Sequence, residues 1–203
     1  MKITGIILAG GKNTRIGTEK AFIQLLPQIP LIESTFCLFK TIFSEIIIVT
    51  NNPEAYFKFE AKVVEDLIKN KGPLGGIFTG ISFSTSEQNF VVACDMPFIK
   101  PELIKYIIQK PEEYDVVIPE IDGKLESLVA RYSKRSLSVI FSHLMEGQLK
   151  IQDILSKLRV LKISSKEIEK FDPNHLSFFN INREEDIKKA KDLLFKQSGK
   201  TKD

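Results

Sequence analysis

Ile3-Thr4-Gly5-Ile6-Ile7-Leu8-Ala9-Gly10-Gly11-Lys12-Asn13-Thr14-Arg15-Ile16-Gly17-Thr18-Glu19-Lys20 decides how the rest of the chain is read. Ile3 to Leu8 is a short apolar run of strand character. Ala9 to Lys20 is a loop that carries Gly10, Gly11 and Gly17. A buried strand that empties into a glycine-rich loop is the arrangement by which open α/β sheets hold a ligand beyond their strand ends.

Outward from that stretch, strands and helices alternate. Ile32, Phe36, Phe39 and Phe43 recur with helical spacing. Glu45 to Thr50 is a second strand, Val63-Val64 a third, and Phe90 to Cys94 a fourth. Between the last two, Leu74, Ile77, Phe78 and Ile81 form a helical stripe opened by Gly72-Pro73. Pro101 suits a first helical position, with Leu103, Ile104, Ile107 and Ile108 facing inward. Asp115 to Pro119 is a fifth strand. The rhythm then changes: Ile121-Asp122-Gly123-Lys124 reads as a turn, and Leu125 to Tyr132 as a strand returning from it. Leu137 to Met145 and Ile151 to Leu158 are helical, Val160 to Ile163 a strand, and Asn182 with Glu185 a capping-box-like pair opening the last helix. The pattern predicts one α/β domain over 1–196, a doubly wound, mostly parallel sheet with one antiparallel member, followed by a frayed basic tail over 197–203.

Composition agrees with one globular domain. The chain has 203 residues, 43% hydrophobic and 27% charged, with a net charge of +3. No apolar run approaches membrane-spanning length, and no signal-peptide pattern opens the chain. Cys37 and Cys94 stand alone, which argues against a disulfide scaffold or structural zinc and favours a reducing cytoplasm. The lysines near the end suit a solvated helix face better than nucleic-acid binding.

The expected strand ends carry the chemistry. Glycines at 10 and 11 let backbone amides approach an anion, Arg15 can grip a phosphate, and Lys20 adds a compact charge. A plain glycine turn with solvated cations is the competing reading. Adjacent Gly10 and Gly11, with no Gly-Lys-Ser/Thr closing the loop, exclude both the Walker A and the dinucleotide fingerprints. Asp95, in Cys94-Asp95-Met96-Pro97, is a natural Mg²⁺ ligand, since Mg²⁺ uses one or two carboxylates plus substrate phosphates. Asp66, ahead of Gly72-Pro73-Leu74-Gly75-Gly76, could accept hydrogen bonds from a ribose or a base, or be an exposed loop acid. His143 and His175 lack partners at ligand spacing and read as structural or surface residues, so covalent catalysis is disfavoured.

Together these motifs resemble those of the molybdenum cofactor guanylyltransferases. The family's Leu-Ala-Gly-Gly-x-Ser-x-Arg-Met-Gly-x-Asp-Lys corresponds to Leu8–Lys20, its Gly-Pro-Leu-Ala-Gly to Gly72–Gly76, and its late Asn-Ile-Asn-x-x-Glu-Asp to Asn180–Asp186. Gly123 to Glu126 falls between them, and Ser127-Leu128-Val129-Ala130 departs from the family's Pro-Leu-Phe-Ala. The resemblance implies a Rossmann-like nucleotidyltransferase that moves GMP from GTP to the terminal phosphate of Mo-molybdopterin and releases pyrophosphate. Cofactor-biosynthesis or molybdoenzyme-maturation proteins would be its possible partners, with neither nucleic acid nor membrane involved. It assigns catalysis to Lys20, Arg15 and Asp95, nucleotide binding to Leu8, Ala9, Gly10, Gly11, Lys20, Asp66 and Asp95, Mg²⁺ to Asp95, and the acceptor side to Asn180 and Asn182. A relative using CTP or a sugar or polyol phosphate, and a non-catalytic nucleotide-binding module, are the alternatives.

Overall fold

The fold is built on an eight-stranded mixed sheet, seen in a computed structural model that describes residues 2–10, 19–26 and 29–199. At its centre β1 (Ile3–Leu8) lies parallel between β4 (Glu45–Val49) and β6 (Gln88–Ala93), with β5 (Lys62–Val64) parallel beyond β4. Every residue of β1 and β6 is buried, as expected of strands covered on both faces. On the far side of β6 comes β9 (Val129–Ser133), antiparallel both to β6 and to the next strand, β7 (Val116–Ile121). β10 (Val160–Ser164) closes that side parallel to β7. A small hairpin, β2 (Gln24–Leu26) with β3 (Ile29–Pro30), stands apart from this sheet.

Each face of the sheet has its own core. On one, α1 (Leu31–Lys40) and α3 (Pro101–Ile108) bring Phe36, Phe39, Ile104 and Ile107 against Ile7, Ile48, Phe90 and Val92. On the other, α2 (Gly72–Phe83) and α4 (Leu137–Met145) bring Leu74, Ile77, Ile81, Ile140 and Leu144 against Ile6, Ile47 and Val91. The helical stripes of the sequence are thus the buried faces of these helices. Phe43, counted in the first stripe, falls beyond the end of α1 but still packs on Phe39, with ring centroids 4.8 Å apart.

Two expectations need correction. The strand predicted from Leu125 to Tyr132 is two: β8 (Lys124–Leu125) pairs with β7 in a hairpin, and β9 inserts between β7 and β6. The Glu126 amide donates to the Pro119 carbonyl (2.9 Å) and the Val129 amide to that of Glu126 (3.1 Å), which turns the chain out of one pairing into the other. Asp122 and Gly123 both take positive φ (50° and 77°), the requirement of a tight two-residue hairpin. The helix expected over Ile151–Leu158 closes early, as α5 (Ile151–Leu155). A short α6 (Ser165–Ile168) follows β10, and α7 is Glu184–Gly199.

Candidate active site

The sheet leaves a crevice where the carboxyl ends of β5, β4, β1 and β6 lie side by side, the place at which doubly wound sheets bind ligands. Ladder hydrogen bonds carry the backbone into it. The Ala9 amide donates to the Val49 carbonyl (2.8 Å) and the Cys94 amide to that of Leu8 (3.0 Å). Asp95, the next residue, stands at the sheet edge with its side chain 17% exposed.

Lys20 meets it there. The Lys20 ammonium donates to Asp95 Oδ2 (2.9 Å) and to Asn182 Oδ1 (2.7 Å), joining residues 75 and 162 positions apart. The Ile181 amide donates to the Asp95 carbonyl (3.0 Å), which ties the segment before α7 to the same turn. Lys20 opens a short 3-10 turn, Lys20–Phe22, whose Ala21 is fully buried, so the stem of the lysine leaves a fixed backbone.

At the other end of the crevice Asn51 donates to Asp66 Oδ2 (3.3 Å). Asp66 Oδ1 is buried and, among the described residues, has no hydrogen-bond partner. Burial raises the Asp66 pKa; the Asn51 hydrogen bond offsets part of that and the neighbouring Glu65 charge adds to it. An oriented carboxylate oxygen without a donor is suited to a hydroxyl or N–H group from outside the chain. Gly76 lies beside it: a Cβ there would come within 3.2 Å of Leu8 Cδ2 and 3.8 Å of Asp66 Oδ1. Glycine keeps this part of the crevice open.

The structure therefore brings Leu8, Ala9, Gly10, Lys20, Asp66 and Asp95 to one edge. Gly11 and Arg15 lie outside the described residues. The Asn182 side chain accepts from Lys20 and does not cap the helix. Asp186, and not Glu185, takes up the free amides at the start of α7, accepting from Asn182 and Arg183 at 2.9 Å each. Asn180 Nδ2 donates to the Phe178 carbonyl (3.4 Å), away from Lys20. His143 is buried with Nδ1 2.9 Å from the Val139 carbonyl, a structural contact, and His175 sits near Glu169 at 3.8 Å. Burial above all, with the Asp95 charge adding, holds the Cys94 thiol above its ordinary pKa, so it is a poor nucleophile.

Sequence reasoning missed Glu19 and Tyr56. Tyr56 is fully buried and its hydroxyl lies 2.5 Å from Glu19 Oε1 and 3.3 Å from the Ala9 carbonyl. Asn52 Nδ2 approaches the other Glu19 oxygen at 3.5 Å.

The donor set fits a Mg²⁺ ion that arrives with its phosphates. Among the described residues no three His, Cys, Asp or Glu side chains gather as a metal cluster. Asp95 supplies one carboxylate facing the crevice, which is as much as Mg²⁺ needs when a nucleotide provides the remaining oxygens.

The MobA-like NTP transferase domain matches residues 5–161. A molybdenum cofactor guanylyltransferase of Desulfosudis oleivorans is 39% identical over 189 residues, covering 93% of this chain and 94% of its own. The crystal structure of molybdopterin-guanine dinucleotide biosynthesis protein A from Archaeoglobus fulgidus superposes with a TM-score of 0.83 at 30% identity, covering 95% of this chain and 99% of that one.

Proposed function

Because this chain belongs to the molybdenum cofactor guanylyltransferase family and is a nucleotidyltransferase, we propose that it transfers GMP from GTP to the terminal phosphate of Mo-molybdopterin. The products are molybdopterin guanine dinucleotide and pyrophosphate. The observation that carries the reading is the Lys20–Asp95 pair, 2.9 Å apart at the crevice mouth. It sets a mobile cation beside a metal-competent carboxylate where the triphosphate would lie.

The acceptor is itself a phosphate, so the protein supplies no nucleophile; its work is alignment and charge neutralisation. Asp95 would hold Mg²⁺, which when bound would supply neutralisation of the nucleotide's phosphate charge. The Lys20 ammonium compensates charge on the transferring group, helped by the backbone amides after Leu8 and by Arg15 and Gly11. Asp66, with its unpartnered oxygen, takes a hydrogen bond from the ribose or base. The acceptor approaches from the side of Asn180 and Asn182. No helix among the described residues is long and apolar enough to cross a membrane, and Cys37 and Cys94 are both free. The proposed reaction takes GTP and the pterin as substrates, in the reducing cytoplasm, with cofactor-biosynthesis or molybdoenzyme-maturation proteins as partners.

A thermal-shift panel with GTP, CTP, ATP and UTP in Mg²⁺ tests the donor. A ligand at 100 times its Kd stabilises by about 2.7 kcal/mol, so GTP alone should raise the melting temperature. A response to CTP alone would reassign the nucleotide. Pyrophosphate release on adding Mo-molybdopterin to enzyme and GTP tests the acceptor. Release with a sugar or polyol phosphate instead would reassign it, and no release with any acceptor would make the protein a nucleotide-binding module.

A further inference from the structure

We propose that Tyr56 is a positioning residue for the nucleotide: its buried hydroxyl holds Glu19, and through Glu19 fixes the point from which Lys20 leaves the backbone. The inference rests on the reading of Lys20 as the charge stabiliser for GTP.

Tyr56 ends the 3-10 turn Pro53–Tyr56 that follows β4, and none of its surface is exposed. Its ring is wedged against Phe22 (centroids 5.2 Å) and Phe59 (6.2 Å), so the hydroxyl has little freedom of aim. It points to two acceptors, Glu19 Oε1 and the Ala9 carbonyl. Ala9 immediately precedes Gly10, and Glu19 immediately precedes Lys20. One phenol thus contacts the residues next to both the amide cradle and the lysine. Asn52 steadies the second Glu19 oxygen. Burial, reinforced by the Glu19 hydrogen bond, raises the phenol's pKa, so it remains a donor at working pH. Phe22, which closes the turn that Lys20 opens, packs on the same ring, giving Tyr56 a second hold on that backbone. The Glu19 carboxylate is what reaches the buried phenol.

A double-mutant cycle with full-length protein, GTP, Mg²⁺ and Mo-molybdopterin tests this. Tyr56→Phe keeps the ring and removes the hydroxyl. It should lower kcat/KM about tenfold and weaken calorimetric GTP binding, while the melting temperature moves by only a few degrees. Glu19→Ala should cost about as much. Combining the two should cost little more than either, because they break one contact. Glu19→Gln, whose carbonyl still accepts the phenol's proton, should fall between wild type and Glu19→Ala. A Tyr56→Phe enzyme within twofold of wild type, fully additive losses, or Glu19→Gln as damaged as Glu19→Ala would each overturn the inference. If wild type binds CTP and not GTP, the substrate reading fails and the same cycle is read with CTP. Coupling then still decides the role of Tyr56.

Discussion

Asp95 and Asp115 are both carboxylates paired with cations, yet they stand at opposite edges of one sheet and are equipped differently. β9 runs antiparallel to both β6 and β7, so β6 and β7 point the same way. Asp95 follows the carboxyl end of β6, and Asp115 precedes the amino end of β7. Asp115 accepts from Arg135 Nε (2.9 Å), from Arg159 Nη2 (3.2 Å) and Nε (3.3 Å), and from the Arg159 amide (3.0 Å). Burial alone would raise its pKa, but the hydrogen bonds from Arg159 and Arg135 outweigh this and bring it to about 2. Asp95 has the Lys20 ammonium, a point charge on a flexible stem. A carboxylate ringed by rigid forks is a structural lock. One held by a single movable cation retains capacity for a ligand. Ion pairing as such does not separate the two; the partner set left open at a strand's carboxyl end is what makes Asp95 the candidate.

The sharpest way to break this contrast is to neutralise each pole. Asp95→Asn and Lys20→Ala should each lower turnover on the order of 100- to 1,000-fold, the usual cost of losing a placed charge stabiliser, with unfolding curves near wild type. Near-normal turnover in either would erase the distinction. Asp115→Ala should do the reverse, destabilising the fold by about 2 kcal/mol in urea titrations while turnover per folded molecule is kept.

Acid refines the same point. Asp115 has a folded pKa of about 2, below the ordinary carboxylate value, so its contribution is complete above about pH 4 and is lost as pH falls towards 2. The Tyr106 hydrogen bond, followed by the Ser164 amide, holds Glu167 near 2 as well, with the same sign. Asp115→Asn should therefore flatten only part of the stability loss between pH 4 and 2, measured by melting temperature. The smallest effect belongs to Asn182→Ala. Losing one hydrogen bond to Lys20 should lower kcat/KM about threefold to tenfold, and no change at all would remove Asn182 from the site.

Much of this was legible in the sequence because local patterns and long-range structure coincide. The stripes at Phe36–Phe39 and at Leu74, Ile77 and Ile81 follow helix periodicity, and the runs in β1, β4 and β6 are apolar because both faces are covered. The carboxyl ends of β1, β5 and β6 bring Leu8, Asp66 and Asp95 to one edge with no further signal needed. β9 was harder, since nothing between Leu125 and Tyr132 says that the strand changes partners. Its Arg131 is fully buried and donates to the Ile108, Lys110 and Pro111 carbonyls, where it neutralises the end of α3, a role that charge patterning cannot disclose. Tyr56 was equally silent. It sits in a short polar turn without periodicity, and its two acceptors lie 37 and 47 positions away. Asn182 carried the signature of a helix cap, and only the fold reveals that Lys20 claims its oxygen while Asp186 serves the helix.

The reach from Lys20 to Asn182 also sets the order in which a newly made chain can form this contact. Ribosomes add roughly 5–20 residues per second, so Asn182 emerges on the order of ten to thirty seconds after Lys20. β1, β4, β5 and β6 can assemble in that interval, but the lysine's second anchor does not yet exist. The polypeptide can thus build its central strands first, and the second anchor of the Lys20 ammonium follows only once Asn182 has emerged.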